Sequence, residues 1–174
     1  MSRHFTGALP TAYVFIRILI VLNWIGGALI LALLMATILR EQWTLTALGI
    51  ATESSIAGSI DLLRIVAFLG LLATPLNHVV LIRLLRMIET VRTGDPFISA
   101  NAHRLNGIGW ALLGLQLLSL SIGGIGDRLS AQDKTFHLDA GFSPSGWLAV
   151  LLAFVLARVF ATGKHMRDDL EGTI

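Results

Sequence analysis

The sequence predicts an all-α integral membrane protein with four transmembrane helices and with both termini in the cytoplasm. Three observations lead there. Hydrophobic residues make up 55% of the 174 and charged residues only 14%, giving a mean hydropathy of +0.76. Soluble domains carry roughly 45–50% apolar and about 25% charged residues. The apolar residues gather into four long runs, and the basic residues fall unevenly between them. A soluble chain this short needs a polar cover for its core, because surface is a large share of a small domain. Too few polar residues are present to supply one.

The first run begins near Tyr13, and from Ile18 to Leu39 it holds 22 residues without a charge. At 1.5 Å per residue that is about 33 Å of helix, enough for a hydrocarbon core near 30 Å. It exceeds the core of a cleaved signal peptide, so a retained helix is expected. The second run spans about Leu62 to Met87. Its uncharged centre, Ile65 to Ile82, is bracketed by Arg64 and Arg83, which can snorkel to the two interfaces. Pro75 lies inside; in lipid a helix can pass through proline when neighbouring groups satisfy the freed backbone. The third run is Leu105 to Ile125. The fourth, Phe142 to Ala157, is shorter and reaches a spanning length once Arg158 snorkels. The expected organisation is a single membrane domain over 1–174, with helices near 13–39, 62–88, 104–126 and 142–162 and a cytoplasmic tail at 163–174.

Charge placement orients the four spans. Arg3, Arg17, Arg83, Arg86, Arg92, Arg104, Arg158, Lys164 and Arg167 fall on one side, and Arg40, Arg64, Arg128 and Lys134 on the other. The positive-inside tendency puts the richer side, with both termini, in the cytoplasm. The pI of about 9.7 conceals a formal net charge of only +2. That is not a phosphate-binding surface for nucleic acid, and no direct nucleic-acid contact is expected. Cysteine is absent, so no disulfide, thiolate nucleophile or cysteine metal site is available.

Chemistry-bearing motifs are sparse. His103, His137 and His165 lack metal-ligand spacing, and no phosphate loop, dinucleotide fingerprint or zinc-protease motif occurs. Asp168, Asp169 and Glu171 cluster near the C-terminus without a partner set for catalysis. The expectation is a non-enzyme with no catalytic residues, no metal and no cofactor. Ionisable groups inside a membrane are costly and invite a functional reading. His78, with Asn77, Asn23 and Gln116, is such a candidate: a polar network to bind a ligand, relay a proton or join helices. Small-residue tracks suggest where helices approach closely. Ala28, Ala32 and Ala36 form one on the first helix; Gly107, Ala111 and Gly114, continued by Ser121, form another on the third. They serve contacts within the bundle or with a second copy. Trp24, Trp43, Trp110 and Trp147 are expected near span ends as interface anchors.

The connection Val91 to Trp110 is the most distinctive stretch. Gly94 and Pro96 end or redirect the preceding helix, Ser99 or Asn101 caps the next, and Phe97 can anchor at the interface. Gly94-Asp95-Pro96-Phe97, Asn101, Arg104-Leu105, Ile108-Gly109-Trp110, and the ending Val159-Phe160, Gly163 and Asp168 to Gly172 together resemble the bacterial domain-of-unknown-function 2975 family. The resemblance covers most of Ile65 to Ile174, while the first helix fits through hydropathy and position. His103 and Asn106 stand where the family pattern is often more basic, which weakens a lipid-phosphate or acidic-partner role at those two positions. The resemblance implies a small four-helix protein of the bacterial inner membrane. Such proteins are often described beside small helix-turn-helix regulators, which permits a regulatory partner without locating its interface.

Two functions remain open at this stage. One is an inner-membrane adaptor or regulator that uses the 91–104 connection and the C-terminal tail, with Gly94, Pro96, Phe97, Arg104, Arg167 and Asp168 as recognition residues. The other is a small-solute or proton transporter or channel subunit lined by Asn23, Asn77, His78 and Gln116. Membrane lipids are expected as partners, with a regulatory protein partner and a homo-oligomer left open.

Overall fold

A computed structural model describes residues 8–40, 43–44, 56–92, 94, 98–132 and 141–171 of the protein. Four long helices account for nearly all of them: α1 (Ala8–Leu39), α2 (Ile56–Arg92), α3 (Ser99–Gln132) and α4 (Pro144–Glu171). No strand occurs among the described residues. Each helix contains a stretch long and apolar enough to cross a membrane, at Leu9–Leu39, Ile60–Arg92, Ser99–Asp127 and Pro144–Lys164.

Large apolar side chains point outward in numbers that water would not tolerate. Leu29 is 66% exposed and Leu39 72%, and Phe15, Ile25 and Val21 are also exposed on α1. A soluble monomer rarely shows so continuous an apolar surface. In a bilayer it is the expected exterior.

The helices run past the charge-free stretches, α2 and α3 at both ends, α1 at its start and α4 at its end. A count of uncharged residues measures what sits in hydrocarbon, whereas the backbone keeps its helical bonds well into the polar zone. The largest difference is at α4, which continues to Glu171 through most of the expected tail. Within α2 the helix passes through Pro75 unbroken. Trp24 falls in the middle of helix α1 and Trp110 well inside helix α3. Trp110 meets Phe154 of α4 edge-on, with ring centroids 5.6 Å apart.

The contacts divide the chain into two compact units, cut within α1, α2 and α3. The first comprises Met1–Leu22, Leu76–Gly114 and Pro144–Ile174. Its core is Leu105, Ile108 and Ala153, packed with Val80, Leu84, Met87, Leu112, Ala157 and Phe160. Small residues on α3 bring its neighbours close. The Arg83 guanidinium lies across Gly107, in the space a Cβ would fill, and Leu76 and Phe154 crowd Gly114 and Gly109. Ala111 is buried between them along the helix.

The second unit comprises Asn23–Pro75 and Leu115–Ser143. Here α1 and α2 form an antiparallel seam: contacts climb α1 through Asn23, Gly27, Ile30 and Thr37 while descending α2 through Thr74, Gly70 and Arg64. At Gly27 a Cβ would come within 2.7 Å of the Thr74 side chain. The expected Ala28, Ala32 and Ala36 track is not this seam; Ala28 and Ala32 are exposed. The reason is geometric. A four-residue repeat drifts by about 40° per step around a helix of 3.6 residues per turn. Asn23, Gly27, Ile30 and Thr37 instead follow a seven-residue repeat, which stays on one face.

Candidate functional site

The best-built polar feature stands where α2 gives way to α3, within the first unit. The last turn of α2 carries Thr90, whose hydroxyl donates to the Met87 carbonyl at 2.7 Å. Helix α2 ends at Arg92, and Gly94 adopts φ +90°, a left-handed conformation that glycine accepts at little steric cost. Its amide donates to the Val91 carbonyl at 3.2 Å, closing the turn. The chain re-enters helix at Ser99, and the Asn101 amide donates to Ile98 at 3.0 Å.

Asn101 is therefore already inside the first turn of α3, and its side chain does not cap the helix. It is fully buried and reaches across to α2, where its Nδ2 donates to Thr90 Oγ1 at 2.8 Å. Its Oδ1 accepts from Arg104 Nη1 at 2.8 Å. The same guanidinium nitrogen donates to the Arg86 carbonyl at 3.3 Å. One buried amide thus ties both sides of the connection together, bonding Thr90 on α2 and Arg104 on α3. Charge-assisted bonds of this kind are among the stronger polar contacts. Arg104 faces inward at Nη1, so its first role here is to hold the connection in place.

The remaining recognition candidates are placed as follows. Pro96 and Phe97 lie outside the described residues, and Arg167 and Asp168 belong to α4 with side chains outside them. The 42–60 connection lies largely outside them as well, and so does most of the segment between Gln132 and Gly141.

Two of the intramembrane polar candidates, Asn23 and Gln116, have separate partners. Asn23 Nδ2 donates to the Thr74 carbonyl at 3.0 Å, beside Pro75. Gln116 Nε2 donates to the Ser143 carbonyl at 3.2 Å, just ahead of α4. Ser119 and Gly141 add a second tie there, with the Ser119 hydroxyl donating to the Gly141 carbonyl at 3.1 Å. These bonds join helices, a common use of Asn, Gln and Ser in membranes. On α2, Asn77 is exposed and His78 half-buried, with its Nδ1 shielded from solvent. Among the described residues no three His, Asp or Glu side chains converge on a point that would hold a metal ion.

Charge-free span counting did not single out Asn101 as a hub or Gly27 and Thr74 as a seam. The seven-residue spacing on α1 was a usable signal for the seam. For Asn101 there was none beyond its place in the connection, because nothing local says that an asparagine turns inward.

Four apolar helices of spanning length, with lipid-facing side chains outside and polar ties between helices, define a multi-pass α-helical membrane protein. The chain belongs to the family described as Protein of unknown function (DUF2975), whose model matches residues 44–174, most of its length. It is a bacterial inner-membrane protein in contact with lipid along its spans. No curated protein and no solved structure matches it.

Proposed function

We propose that the protein is a non-enzymatic inner-membrane adaptor or regulator that presents its 91–104 connection and the end of α4 to a cytoplasmic protein. The observation that carries this reading is the Asn101 hub. A buried side chain with partners on both α2 and α3 is an expensive way to make a turn, since desolvating an amide costs free energy unless its bonds are met. Its effect is to tie the end of α2 to the start of α3, and preorganised elements bind with less ordering cost. Gly94, Pro96 and Phe97 then shape and anchor the presented surface, Arg104 positions it, and Arg167 and Asp168 supply charge from α4.

Orientation belongs to the same proposal. Arg17, Arg83, Arg86, Arg92, Arg104, Arg158 and Lys164 all fall in the first unit, while Arg40 and Arg64 fall in the second. That asymmetry supports an inside location for the first unit and both termini.

Photo-crosslinkers placed at Phe97 and Asp168 in living cells test the reading, with Leu29 as a lipid-facing control. A discrete protein adduct from the first two positions and none from Leu29 is expected. If gentle purification and crosslinking return only this chain, the adaptor reading is wrong.

A further inference from the structure

Tyr13 of α1 carries two cations against one ring. The Arg17 guanidinium carbon lies 4.9 Å from the ring centroid and that of Arg92 lies 5.5 Å from it. Arg17 is one turn further along α1, and Arg92 is the last residue of α2. Each cation is attracted to the electron-rich ring, but the two repel one another. Neither is paired with a carboxylate among the described residues. Directly along α1 from this pair runs an open groove of about 370 Å³, lined by Tyr13, Val14, Arg17, Ile18, Val21 and Leu22. Val14, Ile18, Val21 and Leu22 are each more than half exposed. The charge-free stretch of α1 starts at Ile18, so the two cations sit where headgroups meet hydrocarbon and the groove continues into the acyl layer.

We propose that Tyr13, Arg17 and Arg92 hold the phosphodiester of an anionic phospholipid, with one acyl chain lying along Val14, Ile18 and Val21. The charge pattern selects the headgroup class. Two unpaired guanidinium groups favour a net negative headgroup, whereas a zwitterionic one brings its own cation to the site. The apolar groove selects a lipid over a free anion, because inorganic phosphate gains nothing from it. This site does not depend on any protein partner.

Native mass spectrometry of the full chain in detergent tests it, with phosphatidylglycerol or phosphatidylcholine of identical acyl chains added. The wild type is expected to retain one phosphatidylglycerol and to hold phosphatidylcholine about tenfold less well. Arg17→Gln with Arg92→Gln is expected to lower phosphatidylglycerol affinity about tenfold or more, while Arg158→Gln, an exposed cation on α4, leaves it unchanged. Val14→Trp, which fills the groove and keeps both arginines, is expected to weaken retention as well. It carries the test alone if the double variant fails to unfold cooperatively on heating. Equal retention of the two lipids overturns the proposal. So does a loss with Arg158→Gln as large as that of the double variant, wild-type retention by Val14→Trp, or displacement of the lipid by inorganic phosphate at equal concentration.

Discussion

The two compact units use polar side chains in different ways. In the first, the buried Asn101 bonds side chain to side chain, with Thr90 on one side and Arg104 on the other, and Arg104 adds one bond to the Arg86 carbonyl. In the second, Asn23, Arg64, Gln116 and Ser119 reach across to backbone carbonyls at Thr74, Thr37, Ser143 and Gly141. A carbonyl has two lone pairs, and that of Thr74, well inside α2, keeps its helical bond when a visiting donor is removed. A buried amide between two side chains takes a bond from each of them when it goes. Contacts of the first kind therefore specify one local arrangement, and contacts of the second kind add modest adhesion to a seam that close packing already defines.

The comparison is most exposed at Asn101. Asn101→Leu is expected to cost about 2–3 kcal/mol, since it puts an apolar group against the Thr90 hydroxyl and removes an acceptor from the Arg104 charge. Reversible unfolding in mixed micelles measures it, and hydrogen exchange should quicken at residues on either side of Gly94. A loss below about 0.5 kcal/mol, the scale of an ordinary surface change, would erase the distinction between the units.

Next in size is the seam. Gly27→Leu is expected to destabilise by about 1–3 kcal/mol through overpacking on Thr74, and Thr74→Ala should relieve part of that loss in the double variant. Gly26 is the internal control: a Cβ there meets nothing within 4 Å, so Gly26→Leu should stay within about 0.5 kcal/mol of the wild type. Equal effects at the two neighbouring glycines would mean that α1 meets α2 on a different face.

The smallest effects should come from donors to carbonyls. Asn23→Leu is expected to cost about 0.6 kcal/mol and no more than roughly 1.7, and Gln116→Leu a similar or smaller amount. Thermal unfolding of the purified protein in detergent checks both. If Asn23→Leu proves as harmful as Asn101→Leu, the Thr74 carbonyl needs its second donor and the distinction fails.

Much of this architecture was legible from one sequence because lipid makes a blunt demand. Every spanning backbone must bond internally, so a long apolar run is a helix, and four runs are four helices. Pro75 did not defeat that logic. Helix ends were less legible. Polar residues such as those after Gly163 compose a tail or a helical extension equally well, and α4 extends to Glu171. The small-residue signal was half informative: Gly107, Ala111 and Gly114 lie among close contacts with neighbouring helices, whereas Ala28 and Ala32 face outward.

Composition and charge placement by themselves determined the solvent and the number of crossings, because burying a charge or an unbonded peptide in hydrocarbon is costly wherever it occurs in the chain. They also marked the connection after Val91 as unusual. Only the tertiary structure decided which asparagine turns inward, which glycine of an adjacent pair touches a neighbour, and which arginines come together on one tyrosine. Those outcomes depend on rotation about each helix axis and on the register between helices. Hydropathy is nearly blind to both, since lipid rewards any apolar face alike; contact between specific side chains is what breaks the tie.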